Sequence, residues 1–272
     1  MSEEIMLFDN WTDLVKRAEF GQCVSRQQSS HQYSGDFSWD YGVGFAGALR
    51  LAKNGWPEGL AKVKQLSDVF YGGTLSLVKS QAMVNDVQGH SVDIPAYIAG
   101  EPECMLEWED EEWNYGAVKI VINAVTSAGI SASRIFAKGA AVCALVDALE
   151  MTGKRCEVVL CMSVNSRYDG GYFEYRCVVK HLEDPLQIDQ LAFAIAHPAS
   201  FRRLGFRLYE VMDDAGLSNS LTSNAYGRVV DTKLDRGDIY LAGSHLDYGN
   251  WEDNAWVVQW ILGQLTAQGV EL

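Results

Sequence analysis

The sequence predicts an α/β fold: a doubly wound, mostly parallel sheet in three layers with its helices, behind a helical amino-terminal region. From residue 117 onward, short apolar segments alternate with segments of helical periodicity, and the links between them are short. Asp169-Gly170-Gly171 has the composition of a tight turn, so an antiparallel hairpin strand is expected at the sheet edge. Strand–helix alternation of this kind is typical of parallel sheets with helices on both faces.

The elements of the second region, residues 117–272, follow from local patterns. Val118–Val125 is a short apolar run that predicts the first strand. Ser131 or Ser133 can cap the long helix that follows, because a side-chain oxygen there accepts from free N–H groups of the first turn. Further strands are predicted at Cys156–Val164, Tyr172–Lys180, Leu191–Ala196, Val229–Leu234 and Ile239–Ala242, and further helices from Pro198 to Met212 and over Asn250–Gln268.

Residues 1–116 are predicted to form a helical and irregular region that packs on this core. Asp9 or Asn10 can cap the first helix, and Gly21 marks its end. Cys23–Gly44 is polar and aromatic, which is typical of a long functional or mobile loop. Helices are predicted from Trp11, from about Phe45 to Gly55 and from Pro57 to about Phe70, with short strands or irregular structure over 80–116.

The composition is that of a globular protein and argues against several classes of function. No apolar stretch is long enough to cross a membrane, and the amino terminus lacks the pattern of a secretion signal. The six cysteines have no zinc-site spacing, so we expect reduced core residues of a cytoplasmic protein. No motif for nucleotide binding, metalloprotease or serine hydrolase chemistry occurs, so neither an enzyme nor a cofactor is predicted.

The net charge of −14 is concentrated in one segment. No lysine or arginine lies between Lys79 and Lys119, whereas nine acidic residues do. Charge runs of this kind are usually solvated surface, and a surface of one sign attracts partners of the other sign. We therefore expect residues 86–112 to form an acidic surface that contacts a basic protein partner or opposes duplex DNA.

A hairpin over residues 166–176 is the best candidate for nucleic-acid binding. Aromatic rings that stack on bases, beside guanidinium groups that neutralise phosphates, are sufficient to bind a single strand. Because successive strand residues point to opposite faces, part of this set must be buried, and an edge strand packed on a helix is the competing interpretation. The predicted contacts are Arg167, Tyr168, Tyr172, Tyr175 and Arg176, with Arg203 and Arg207 on the helix after Pro198.

A second candidate site lies at the predicted carboxyl ends of the strands, where open parallel sheets form their ligand crevices. Ser127, His197, His245 and Asp247 can converge there as a metal-binding or nucleophilic set. Their spacing is not diagnostic, and a histidine beside a proline is more often a hydrogen-bonding loop residue. A metal-assisted or hydrolytic enzyme is therefore the alternative function.

The order of elements over residues 117–268 is strand, long helix, strand, antiparallel hairpin strand and then strand–helix repeats. This order resembles a von Willebrand factor A-like domain. The resemblance implies a metal motif, Asp-x-Ser-x-Ser, after the first strand, but the matching positions read Asn123-Ala124-Val125-Thr126-Ser127. Only Ser127 agrees and the carboxylate is missing, so no metal is predicted. The resemblance also implies a third function, a protein-binding scaffold partnered with an ATPase.

Three segments carry a second resemblance, to an uncharacterised protein family of tailed-phage genomes. They are Tyr41-Gly42-Val43-Gly44-Phe45 with Asn54-Gly55-Trp56-Pro57-Glu58, then Asp93–Glu103, then His197-Pro198 with Phe201-Arg202-Arg203. The resemblance implies a non-enzymatic protein of the host cytoplasm that acts in phage transcription or replication. It would bind single-stranded DNA and recruit a phage RNA polymerase, which would be the partner of the acidic segment.

Overall fold

The fold consists of a main mixed sheet, the helices packed on it, and a separate small sheet. It is seen in a computed structural model that describes residues 2–31, 37–61, 63–64, 82–109, 116–223, 225–243 and 249–270. The part of the third predicted helix beyond residue 64 lies outside the described residues, and so do His245 and Asp247.

The strands and helices are numbered in chain order. The strands are β1 (Glu3–Phe8), β2 (Ala82–Asp86), β3 (Ser91–Val92), β4 (Met105–Glu109), β5 (Ala117–Asn123), β6 (Arg155–Asn165), β7 (Tyr172–Lys180), β8 (Arg228–Val229) and β9 (Ile239–Leu241). The helices are α1 (Trp11–Phe20), α2 (Phe37–Asp40), α3 (Gly44–Asn54), α4 (Ile94–Ala99), α5 (Ala132–Met151), α6 (Ile188–Ala196), α7 (Phe206–Glu210), α8 (Ala215–Thr222) and α9 (Asn254–Ala267). A short 3-10 turn spans Ser29–His31, a π-helix spans Ser200–Gly205, and residues 57–61 are helical.

The main sheet has six strands and is mostly parallel. Its order is β1-β7-β6-β5-β9, and β8 pairs with β6 beside this path. β1 runs parallel to β7, and β5 runs parallel to both β6 and β9, whereas β7 and β8 are antiparallel to β6. The α/β class and the mostly parallel sheet predicted from the sequence are confirmed.

β7 lies inside the sheet and is not the edge strand that the hairpin sequence predicts. β1 pairs with it from Glu3 opposite Tyr172 to Phe8 opposite Cys177. The amino-terminal region therefore contributes a strand to the main sheet, in addition to the predicted helices. Buried residues of α1 and α3 belong to the same hydrophobic cluster as those of β5, β6 and β7, so the described parts on both sides of residue 116 share one core.

Two helix starts and one helix end follow the chemistry expected from the sequence. Asn10 begins α1 by accepting a hydrogen bond from Asp13 N at 2.9 Å, and Ser131 begins α5 by accepting from Arg134 N at 3.2 Å. Each cap satisfies an N–H group that has no partner within its helix. Gly55 follows α3 with φ of 81°, a conformation that residues with a Cβ rarely adopt.

The two faces of the main sheet are covered differently. Alternate strand residues and the buried side chains of α1, α3, α5, α6, α7, α8 and α9 form one large hydrophobic cluster. On the opposite face, Val121, Val159 and Cys161 form a small cluster. Residues 230–238, here called the strap, lie against this face through contacts with β7. Among the described residues, helices thus cover one face and the strap lies on the other, which differs from the predicted three layers.

Several segments of the chain differ from their predicted secondary structure or its predicted bounds. Leu191–Ala196, predicted as a strand, belongs to α6, because a short, fully buried apolar run has the same pattern in a strand and in a helix. The helix predicted from Pro198 to Met212 is divided into the π-helix and α7, and Gly216 lies inside α8. The last two strands are shorter than predicted.

Residues 82–109 form the small sheet, which is antiparallel in the order β2-β4-β3, with α4 between β3 and β4 in the chain. This agrees with the short strands expected over 80–116. None of the helices within the described ranges is both long enough and apolar enough to cross a lipid bilayer.

Gly139 and Gly263 both lie inside helices, and we expect their replacement by alanine to have opposite effects. A Cβ at Gly139 in α5 would overlap Ala196 and lie 2.5 Å from the carbonyl oxygen of Ile195. A Cβ at Gly263 in α9 meets nothing within 4 Å. Overpacking costs about 1–3 kcal/mol, whereas alanine is favoured over glycine in a helix by about 1 kcal/mol.

Urea unfolding of the two variants measures the direction of each change in the free energy of unfolding. Gly139→Ala should lower the free energy of unfolding and Gly263→Ala should raise it. A stabilised Gly139→Ala variant would show that α5 and α6 do not cross as closely as described.

Candidate functional site

The turn between β6 and β7 holds the two predicted nucleic-acid residues that reach solvent. Arg167 and Tyr168 are exposed, and 79% of Tyr168 is accessible. Asp169 holds the turn, because its Oδ1 accepts a hydrogen bond from Gly171 N at 3.0 Å. That bond is the main reason why the pKa of the Asp169 carboxyl is lowered. One exposed ring and one exposed guanidinium are therefore available here.

The other three predicted hairpin contacts lie inside the protein. Tyr175 is buried in the large cluster, with its ring centroid 6.5 Å from that of Phe8, and burial raises its pKa well above the usual value. On the opposite face, the Tyr172 hydroxyl and Arg176 Nε both donate to the carboxylate of Glu174, the latter at 3.1 Å. Successive side chains of β7 point to opposite faces, as expected, but neither the Tyr172 ring nor the Tyr175 ring is accessible to a nucleobase.

Glu174 is the centre of a polar network that fastens the strap. Its carboxylate is fully buried and also accepts a hydrogen bond from Thr232 Oγ1 at 2.6 Å. Lys233 Nζ lies 3.9 Å from the ring centroid of Tyr172, and Arg176 also donates to a carbonyl oxygen of the strap. A buried carboxylate is stable only with such donors. Residues predicted to form a stacking platform therefore join β7 to the strap.

Arg203 and Arg207 are buried and ion-paired. Arg203 Nε donates to Asp40 Oδ2 at 2.6 Å, and Asp40 is itself fully buried. Arg207 donates to Glu210 Oε2 at 3.2 Å and to the carbonyl oxygen of Ala18 at 3.3 Å. Their charges are neutralised inside the protein, so the predicted phosphate contact is not available. Helical spacing cannot reveal this, because Asp40 is 163 residues away in the chain.

The alternative site is only partly described. His245 and Asp247 lie outside the described residues, and Ser127 is a partly exposed residue of the loop after β5. His197 is buried, and its Nδ1 accepts a hydrogen bond from Ala199 N at 3.0 Å. His197 therefore forms a hydrogen bond within its own loop, which is the role expected of a histidine beside a proline.

Aromatic rings surround His197 and set its protonation state. Its ring centroid is 4.4 Å from that of Trp56 and 5.2 Å from that of Phe193. Burial lowers the pKa of His197 to about 4, so the imidazole is neutral at pH 7. A cavity of about 30 Å³ adjoins it at the end of β5, where Thr126 Oγ1 is buried without a hydrogen-bond partner among the described residues. That volume holds about two waters.

The loop after β5 does not fit the metal site that the von Willebrand A resemblance implies. Asn123 stands where the motif has aspartate, and its Nδ2 donates to the carbonyl oxygen of Val230 at 2.9 Å. Its Oδ1 accepts from Val125 N at 3.2 Å, so both polar atoms of the amide are engaged by backbone. In the part of the chain that the structure describes, no three His, Cys, Asp or Glu side chains are grouped to hold a metal ion.

The small sheet carries exposed apolar side chains among acids. Ile94, Tyr97 and Ile98 occupy positions i, i+3 and i+4 of α4, so they share one helix face. They are 64%, 67% and 78% accessible. The sheet has no lysine or arginine, and its exposed acids are Asp86, Glu101, Glu103 and Glu107. The three α4 side chains and these four acids are called the apolar–acidic surface below.

Sequence reasoning identified the charge of this segment but missed α4. Asp93 caps the helix by accepting from Ala96 N at 3.3 Å, and Pro95 lies in the first turn. Gly100 ends it with φ of 76°. These start and stop signals are present in the sequence and could have located the helix. Six residues are too few for hydrophobic periodicity to do so.

Together, the main sheet and the apolar–acidic surface define a mixed α/β protein with an acidic accessory sheet. The chain belongs to the family of the Domain of unknown function (DUF7192), whose family model matches residues 2–271. The match includes both sheets. No curated protein and no solved structure matches the chain.

We expect protein stability to fall between about pH 6.5 and pH 4 because of His197. Histidine in the unfolded chain titrates near pH 6.5, whereas the buried ring titrates near pH 4, so the unfolded chain takes up the proton first as the pH falls. The stability that the neutral His197 contributes is fully present above pH 6.5, and its loss at low pH lowers the free energy of unfolding by about 3 kcal/mol.

Urea unfolding at pH 7.5 and pH 4.5 tests this expectation. His197→Gln removes the titration and keeps an amide that can accept from Ala199 N, so the variant should lose less stability than the wild type between the two pH values. Equal losses in the two proteins would show that His197 is not a buried neutral ring.

Proposed function

We propose that the protein is a non-enzymatic binding protein that recruits a basic protein partner through the apolar–acidic surface. The observation that carries this proposal is the exposure of Ile94, Tyr97 and Ile98 on one helix face, within a sheet that has no positive side chain. Exposed apolar groups rimmed by polar residues are typical of protein-binding sites.

The small sheet cannot bury these side chains by itself. It consists of three short strands and one six-residue helix, α4, and Ala96 is the buried residue of that helix. A unit of this size has too little core to cover a large apolar side chain. A partner that covers the α4 face would supply the missing contacts, and each large apolar side chain contributes about 1.5–3 kcal/mol when fully buried.

The charge of the sheet favours a cationic partner. Its acids repel one another, and lysines or arginines on a partner would relieve that repulsion and accelerate association. An apolar centre with a charged rim is the usual arrangement of such an interface. A phage RNA polymerase as the partner, and the host cytoplasm as the setting, belong to this proposal on the strength of the sequence resemblance alone.

We infer that the main sheet is a von Willebrand A-like scaffold for this binding function. The strand order β7-β6-β5-β9, the antiparallel β7 and the helix α5 between β5 and β6 support the inference. β1 and the strap are additions to that arrangement. Fold alone does not assign function, so the binding role is argued from the apolar–acidic surface.

A defined peptide probe tests recruitment. An 18-residue amphipathic helix of leucine and lysine should bind the protein more tightly than a peptide in which serine replaces leucine, as measured by fluorescence anisotropy. Ile98→Ser should weaken binding of the leucine–lysine peptide about tenfold, since the loss of one buried apolar side chain costs about 1.5 kcal/mol. Glu101→Lys should weaken it as well and reduce its salt dependence.

Phe20→Ser is the matched control, because Phe20 is 76% accessible but lies on α1, outside the acidic sheet. It should leave peptide binding unchanged. Equal affinity for the two peptides, or equal effects of Phe20→Ser and Ile98→Ser, would contradict recruitment through α4.

Single-stranded DNA is a second candidate ligand, carried by the exposed Arg167 and Tyr168. One stacked ring contributes about 1–3 kcal/mol, so we expect weak binding of oligo-dT that decreases with salt. Tyr168→Ala should weaken it about tenfold, whereas Tyr97→Ala, which removes another exposed ring without a neighbouring arginine, should not. Filter binding at 50 and 200 mM salt measures this. The absence of saturable binding would remove the candidate.

A further inference from the structure

β1 forms one end of the main sheet and has a free outer side within the described residues. The carbonyl oxygen of Ser2 accepts a hydrogen bond from Tyr172 N of β7. In a parallel pair the N–H and C=O of one residue point to the same side, and successive residues alternate. The backbone groups of Glu3, Ile5 and Leu7 therefore point away from β7.

This outer side lacks most of the features by which sheet edges avoid pairing, and its charged residues are limited to Glu3 and Glu4 at one end. β1 contains no proline, no lysine and no bulge, and all six of its residues keep a regular register with β7. Ile5 and Leu7 are 38% and 68% accessible on the face that bears the strap. Regular, apolar edges of this kind are templates for another strand. The other end of the sheet, β9, has only three residues.

We propose that β1 pairs with β1 of a second copy of this chain, which joins the two main sheets into one continuous sheet. A two-fold axis relates such copies, so the paired strands are antiparallel. Because Glu3, Ile5 and Leu7 carry the outward backbone groups, the register with the most hydrogen bonds places Ile5 opposite Ile5 and Glu3 opposite Leu7. It forms about six backbone hydrogen bonds.

The side chains of β1 complement themselves in this register. Glu3 faces Leu7 of the second copy and Glu4 faces Met6, so no carboxylate lies opposite another carboxylate. The exposed Ile5 and Leu7 of the two copies form one apolar row on the strap face. Lys233, which pairs with Glu3 at 2.9 Å, neutralises the acid beside this row. Charge and apolar area thus favour a second copy as the occupant of the edge.

Sedimentation equilibrium of the full chain tests the pairing. We expect a dimer that dissociates in the micromolar range, because edge pairing buries less area than a standard interface. Leu7→Lys should raise the dissociation constant of the dimer at least tenfold, because it places a charged side chain in the paired edge. Val92→Lys, an equivalent change at an exposed strand residue of the small sheet, should leave the dimer unchanged, which keeps this test separate from partner recruitment.

Cysteine cross-linking tests the register of the two β1 strands. Unlike the Leu7→Lys variant, it does not rely on weakening the dimer. The Cα atoms of two Ile5 residues would lie about 5.5 Å apart, within the range of a disulfide. The two Leu7 residues would lie about 14 Å apart, because they are four residues apart along the strands and one strand spacing apart across them. Mild oxidation should therefore link Ile5→Cys copies but not Leu7→Cys copies. A monomer at all concentrations up to 100 μM, or equal cross-linking of both variants, would overturn the proposal.

Discussion

The pairing of β1 with β7 is the constraint on which most of the structure depends. β1 occupies the side of β7 that would otherwise be the sheet edge, and it brings α1 onto the large hydrophobic cluster. It also supplies Glu3, which holds Lys233 of the strap at 2.9 Å. The helices and the strap enclose the aromatic side chains and Arg176 of β7 on its two faces, whereas Arg167 and Tyr168 in the turn before β7 reach solvent.

Buried carboxylates determine where the irregular segments lie on this framework. Glu174 holds the strap, and Asp40 holds the segment before α3 against the π-helix through Arg203. Glu210 accepts hydrogen bonds from Arg207 and from Ser30 Oγ, so it joins α7 to the amino-terminal loop. Removing one member of such a pair leaves an uncompensated charge inside the protein, which costs several kcal/mol. These pairs therefore specify positions that apolar packing alone would leave open.

The sequence contains enough information for the local elements of this fold but not for their long-range pairings. Asn10, Ser131 and Gly55 identify helix ends because capping depends on neighbours a few residues away. The alternation of faces in β7 is likewise a local property. The position of β1 in the sheet is not a local property, because its partner strand lies about 170 residues further along the chain. Buried helix and buried strand also look alike in a run as short as Leu191–Ala196.

The candidate sites differ in predictability for the same reason. Net charge is a property of composition, so the acidic character of residues 82–109 can be recognised from the amino-acid sequence alone. Burial is a property of the whole fold, and it separates Arg167 and Tyr168 from the other five predicted nucleic-acid contacts. The exposure of Ile98 is likewise invisible in a sequence, where an isoleucine in a short apolar run is expected to be core.

The distribution of burial also changes what the net charge of −14 means for binding. Residues 154–207 look locally basic in the sequence, but most of their lysines and arginines are buried or nearly so. Among these, Arg176, Lys180, Arg202, Arg203 and Arg207 pair with carboxylates or backbone carbonyls. Arg155 and Arg167 are the bases of this stretch that are exposed. In contrast, four acids of the small sheet face solvent and have no lysine or arginine in their own segment, namely Asp86, Glu101, Glu103 and Glu107. Folding therefore removes the paired bases from the surface, mostly together with the carboxylates that pair with them, and leaves the exposed acids of the small sheet outside. Long-range electrostatic attraction at that sheet favours a cationic protein over a polyanion.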